Sequence, residues 1–199
     1  MLIIRGTSSL VVDRLCGKAE EQNLAVACFY VDFAAREEQS STNILSSLLK
    51  QIVSGLERIP DEIERKFRDR KTGIGRRGLL VVEIVKMLQI VTSLQPTFIC
   101  VDALDECPEK YRSEILGSLR EVLEESPSTR IFLTGRQHIR GEIDRNLGGG
   151  VSILSMKPSN DDIVEYIRIR LRKDTSPDAM DSSLEDEIIK SITENTPGT

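Results

Sequence analysis

The chain is poor in the residues that most often carry chemistry: among its 199 residues are one histidine, His138, and no tryptophan. With a single imidazole, zinc centres built on several histidines and multi-histidine redox sites lack their ligands. A hydrolytic triad would have to use His138, and no G-x-S-x-G turn accompanies it. Aromatic residues make up 4% of the chain, which leaves little to interleave with basic side chains for base stacking. No stretch approaches the ~20 apolar residues of a membrane span. The short apolar run Leu2-Ile3-Ile4 is likewise too brief for a signal peptide. Cys16, Cys28, Cys100 and Cys107 form no C-x-x-C pair and three of them lie in apolar runs, so they are expected to be buried thiols of a reducing compartment, in a cytoplasmic protein.

What is present is an ordinary globular balance, 39% hydrophobic and 30% charged, enough for one domain with a sizeable core. The 27 Lys+Arg against 32 Asp+Glu give a net charge of −5, which argues against a globally basic nucleic-acid binder. One local exception runs over residues 65–77, where Arg65, Lys66, Arg68, Arg70, Lys71, Arg76 and Arg77 stand against a single Asp. Only Phe67 is interleaved there, so a solvated helix end is favoured over a nucleic-acid or phospholipid surface. No internal repeat is visible, which excludes a solenoid for this stretch.

Strand-like and helix-like segments alternate, the pattern of an α/β fold with a mostly parallel sheet covered by helices. Leu2–Ile4 is a candidate first strand, followed by helical spacing at Leu10, Val11, Leu15 and Ala19. Ala25–Val31 reads as a buried strand. Ile44, Leu45, Leu48, Leu49, Ile52 and Val53 form an amphipathic stripe that Ser40, Ser41 or Thr42 would cap. Ile59, Ile63 and Phe67 suggest a helix with Pro60 in its first turn. Leu79–Leu94 predicts a longer helix, stopping before Pro96. Strands are then expected at Thr97–Val101, Arg130–Thr134 and Val151–Leu154, with a helix around Ile115–Leu123 between the first two. Helical patterns resume at Ile163, Ile167 and Leu171 and again, within an acidic stretch, at Leu184–Ile192. The expected division is a core over residues 1–155 and the start of a helical extension over 156–199.

The strongest motif is Thr97-Phe98-Ile99-Cys100-Val101-Asp102-Ala103-Leu104-Asp105-Glu106, an apolar strand that delivers three carboxylates to its C-terminal end. In open α/β sheets that edge is where ligands bind. A carboxylate there suits Mg²⁺ held through waters, and a second acid three or four residues on suits orientation or deprotonation of an attacking water. The alternative is an acidic turn that merely caps the next helix. The following strand, Ile131–Thr134, ends in Gly135-Arg136, which brings a guanidinium able to contact a phosphate bidentately to the same edge. Two glycine clusters are set aside. Gly73-Ile74-Gly75-Arg76-Arg77-Gly78 matches G-x-G-x-x-G but follows a helical pattern instead of a strand, and Gly148-Gly149-Gly150 opens no helix.

Taken with Cys28-Phe29-Tyr30-Val31-Asp32-Phe33 and the helix around Leu45–Ile52, these segments resemble the NACHT domain of the STAND class of P-loop NTPases, in its fungal nephrocystin-like branch. Asp161-Asp162-Ile163 with Tyr166-Ile167 resembles the stretch after the last core strand. The resemblance implies a three-layer αβα core with strand order 5-1-4-3-2. It also implies a switch acting between an upstream effector and downstream repeats, with protein partners or self-association, and Mg²⁺ with ATP or GTP as cofactors. Carried over by position, Asp102 is the Mg²⁺ aspartate of the Walker B motif, Asp105 and Glu106 are the candidates for water activation, and Arg136 is the sensor. The family usually reads Thr-Ser-Arg where this chain has Thr134-Gly135-Arg136.

The large departure is at the start. A phosphate-binding loop requires G-x-x-x-x-G-K-[ST] between strand and helix, and this chain offers Ile4-Arg5-Gly6-Thr7-Ser8. Gly6 and Thr7 are the only candidates for that loop, and no alignment restores its Lys. Hydrogen bonds to charged groups are worth roughly 1.5–3 kcal/mol each, so losing the Lys and two or three N–H contacts costs at least about 5 kcal/mol, or around 10³–10⁴ in affinity. Weak nucleotide binding without turnover, and a role as a protein-interaction scaffold, are therefore expected. Two alternatives stand beside this reading: a fragment of an active ATP- or GTP-hydrolysing receptor switch, and a binding module that uses the basic stretch without nucleotide chemistry.

Overall fold

Apolar residues at both parities make Thr97–Asp102 (β2) a strand buried on both faces, and it lies at the centre of a three-stranded parallel sheet. Ala25–Tyr30 (β1) pairs along one side of it in the register Cys28↔Cys100 and Tyr30↔Asp102. Arg130–Leu133 (β3) pairs along the other, with Ile99↔Ile131 and Val101↔Leu133. The structure, a computed structural model, describes residues 5–35, 38–72, 78–148, 150–155, 159–172 and 182–195. These residues fall into two compact units, a larger one running to Ile153 and a smaller one beginning at Leu154.

The helices of the larger unit are α1 (Arg5–Gln22), α2 (Ser41–Ser54), α3 (Asp61–Thr72), α4 (Val81–Leu94), α5 (Glu109–Glu125) and α6 (Arg140–Leu147). One sheet face, carrying Ala25, Ala27, Ile99 and Val101, is sealed by the stripe Ile44, Leu45, Leu48, Leu49 and Ile52 of α2, with Ile84 and Leu88 of α4 and Ile115 and Leu119 of α5. Each such side chain contributes roughly 1.5–3 kcal/mol by leaving water, so this face holds most of the fold's apolar free energy. The opposite face carries Cys28 and Cys100 and meets α1, which completes a three-layer α/β/α arrangement.

Ser40 caps α2, its hydroxyl accepting the Asn43 N–H at 3.3 Å. Among the described residues the outer edge of β1 has no strand neighbour, and the carboxamide of Gln51 takes that role: it accepts the Cys28 N–H at 2.9 Å and donates to the Cys28 carbonyl at 2.8 Å. Backbone groups that would otherwise be exposed at a sheet edge are thereby satisfied. In the smaller unit, α7 (Asn160–Arg172) and α8 (Ser182–Asn195) pack together, Ile167 is buried, and Arg168 Nε lies 3.9 Å from Glu185. Among the described residues no helix is long and apolar enough to cross a membrane.

Three expectations need correction. Residues 151–155 form no strand, and Leu154 is 80% exposed. A four-residue apolar run becomes a strand only where a neighbour supplies hydrogen bonds, and no described residue does so here. Cys16 is exposed, although Cys100 and Cys107 are buried and Cys28 is half-buried. It lies one turn beyond Val12 in α1, where solvent reaches the thiol. Of the stripe expected for α3, Ile63 is buried, whereas Phe67 and the preceding Ile59 are each 44% exposed. Pro60 precedes that helix, its carbonyl accepting the Ile63 and Glu64 N–H groups. The proposed first strand Leu2–Ile4 and most of the Gly73–Gly78 loop lie outside the described residues.

Candidate functional site

The acidic motif is shaped by one unusual backbone step. Directly after β2, Ala103 adopts a left-handed conformation, φ 54° and ψ 41°, which costs a non-glycine residue roughly 1–2 kcal/mol. This step turns the chain off the sheet into the 3-10 turn Leu104–Glu106, whose Leu104 is fully buried and anchors the turn. The Leu104 N–H donates to the Thr134 carbonyl at 2.9 Å and the Thr134 N–H to the Val101 carbonyl at 3.0 Å. The acidic turn is therefore bonded directly to the end of β3.

Thr134 is the hub of this junction. Its hydroxyl donates to Asp102 Oδ1 at 2.5 Å and accepts the Ala103 N–H at 2.9 Å. Asp102 is 7% exposed, and a buried carboxylate needs such a partner. Its Oδ2 makes no hydrogen bond among the described residues. The Asp102 carbonyl accepts the Val31 N–H at 3.0 Å, which ties the tip of β1 to that of β2.

Asp105 is turned inward, its side chain only 4% exposed. Oδ1 accepts the Arg136 backbone N–H at 3.1 Å, and Oδ2 lies 3.4 Å from Arg136 Nε. The guanidinium itself remains largely in solvent. Glu106 reaches the third strand tip, where its Oε2 accepts the Phe33 N–H at 3.0 Å. Asp102, Asp105, Glu106 and Arg136 thus converge on one sheet edge. Gly6 and Thr7 fall in the first turn of α1, and nothing of the Thr7 side chain is described.

Gly135 sits in close packing. A Cβ at this position would lie 2.5 Å from Ile139 Cδ1 and 3.5 Å from Asp105 Oδ1, and Ile139 is buried. The backbone of residues 134–136 can approach Asp105 closely because no side chain intervenes. A second junction lies behind the site. Arg112 of α5 donates from Nε to Glu142 of α6 at 2.6 Å and from Nη1 to the Cys107 carbonyl at 2.9 Å, while Ser113 donates to the other Glu142 oxygen at 2.8 Å. This nearly buried pair joins the end of the acidic turn to the helix that follows Arg136.

A model of the nephrocystin 3 N-terminal family matches residues 7–136, a span that holds all three strands and the whole acidic junction. The chain belongs to this family. No curated protein matches it. Among solved structures it is similar to the Orc1 protein of Aeropyrum pernix, solved in complex with DNA, at 17% identity and a TM-score of 0.51, over 85% of this chain and 41% of that one. It is also similar to a Walker-type ATPase of Pyrococcus abyssi at 14% identity and a TM-score of 0.45, over 96% of this chain and 63% of that one. The first likeness shows the fold alone, and the chain spans less than two thirds of either relative.

Within this nephrocystin-type domain, Mg²⁺ is compatible with the donors present. The ion usually keeps several waters and takes one or two carboxylates together with substrate phosphates, and Asp102 offers one carboxylate oxygen at the strand tip. No group of three or more His, Cys, Asp or Glu gathers to hold a metal directly among the described residues. Sequence reasoning did not assign the Thr134 hydroxyl, the Phe33 N–H or the Arg112–Glu142 pair. Only Thr134 left a signal, a polar residue ending an otherwise apolar strand and standing next to Gly135-Arg136.

Proposed function

We propose that the chain is a NACHT-type STAND signalling domain in degenerate form, which binds Mg-ATP or Mg-GTP weakly, does not hydrolyse it, and acts through protein partners. The observation that carries this reading is the commitment of Asp105 to Arg136: both carboxylate oxygens face Arg136, one at its backbone N–H and one at its guanidinium. A carboxylate so engaged favours fixing the arginine over taking a proton from water. The chain also contains no G-x-x-x-x-G-K-[ST], so the β- and γ-phosphates have no lysine and no glycine loop to receive them. In this reading Asp102 holds Mg²⁺ through water, Glu106 fixes the loop after β1, and Arg136 remains available to a phosphate or an acidic partner.

The test is phosphate release from Mg-ATP and Mg-GTP by the purified chain. The reading predicts a rate that Asp102→Ala and Glu106→Gln leave unchanged, equal to that of buffer. Release above buffer that is abolished by either substitution overturns it.

A further inference from the structure

Three of the four cysteines gather on the sheet face opposite the main core. Cys28 and Cys100 are register partners on adjacent parallel strands, so their Cα atoms are about 4.8 Å apart and both side chains leave the same face. Cys16 is carried by α1, which packs on β1 and β2. It lies one turn beyond Val12, a buried residue of that helix, and residues four apart share a helix face. The proximity of the thiols is also electrostatic. Burial first, then Cys16, raises the Cys28 pKa, and burial, then Cys28 and Cys16, pushes Cys100 up to about 12. Accessibility is graded along the cluster, with Cys16 exposed, Cys28 half-buried and Cys100 3% exposed. Cys107 lies on the other side, within the main core.

We propose that Cys16, Cys28 and Cys100 form an oxidisable thiol site in which Cys16 takes up a peroxide and Cys28 resolves it as a Cys16–Cys28 disulfide. In the first step the Cys16 sulfur attacks the peroxide O–O bond. The sulfur gains OH and is oxidised to a sulfenic acid, and the peroxide's other oxygen leaves as water. In the second step Cys28 attacks that sulfur, an S–S bond forms, the S–O bond breaks, and hydroxide leaves with the Cys28 proton as water. The product ties α1 to β1 across a 12-residue separation and is reversed by a dithiol. Cys28 is favoured over Cys100 as the resolving thiol because it is the more accessible of the two and less strongly biased towards the protonated state.

The experiment treats the reduced, purified chain with hydrogen peroxide and maps its cysteine peptides without reduction by mass spectrometry. The expected result is a Cys16–Cys28 crosslinked peptide as the main product, absent in Cys16→Ser and restored to free thiols by dithiothreitol. In Cys28→Ser, Cys16 is expected to persist as a sulfenic acid trapped by dimedone, with at least a tenfold rise in adduct over the parent chain. Far-ultraviolet circular dichroism of both variants, matching the parent, separates this result from a folding defect. Crosslinks solely between molecules, or Cys16 oxidised onward while Cys28 stays reduced in the parent chain, overturn the proposal.

Discussion

Asp102 stands at a nearly buried strand tip, where the hydroxyl of Thr134 is its side-chain hydrogen-bond donor among the described residues. Thr134→Val preserves shape and removes that donor, and it is expected to cost about 1.5–3 kcal/mol, the worth of a hydrogen bond to a charged group. Thr134→Ser should stay close to the parent in urea denaturation. Gly135 makes a second residue-scale prediction. The family's serine here places a Cβ against Ile139 Cδ1, so Gly135→Ser is expected to lose about 1–3 kcal/mol through overpacking. Ile139→Val removes the offending methyl and should recover part of that loss in the double variant, which thermal unfolding of the four proteins of the cycle would read. The acidic residues were legible in the sequence because an apolar strand ending in three carboxylates is a local pattern. Thr134 and Gly135 were not, because their roles depend on where β3 lies beside β2.

At the scale of elements, the junctions around the site are side-chain bonds between strands and helices distant in sequence. The Arg112–Glu142 pair joins α5 to α6, with both side chains about nine-tenths buried. Removing one partner leaves an uncompensated charge, so Arg112→Met is expected to cost about 3–5 kcal/mol. Adding Glu142→Leu should restore most of this, since an apolar pair of similar volume often replaces a buried ion pair without loss. Chemical denaturation midpoints of the two variants check it. Periodicity found α2, α4, α5 and all three strands because each buries a regular stripe or run. It misjudged Val151–Leu154 because four apolar residues define a strand only once a neighbouring edge is present, and it overstated α3 because Ile63 alone of that stripe reaches the core. The Gln51 clamp on Cys28 had no sequence signal, since a glutamine inside an amphipathic helix ordinarily reads as its solvated side.

At the scale of the molecule, the nephrocystin-type chain carries an assembled acidic junction, which the proposed function reads as the acidic half of a nucleotide site: Asp102 at the strand tip, Asp105 holding Arg136, and Glu106 bonded to the loop after β1. The phosphate-binding half has no counterpart in the 199 residues. These halves contribute differently to binding. Carboxylates position a cation, whereas a glycine loop and its lysine supply the direct hydrogen bonds to phosphate that set affinity. A domain with the first and without the second retains the fold and the interstrand junctions while losing about 10³–10⁴ in affinity. The measurement that tests this account most directly is isothermal titration calorimetry of the chain with Mg-ATP and with Mg-GTP. The account predicts no saturable heat below millimolar nucleotide; saturable micromolar binding that Asp102→Ala abolishes would contradict it.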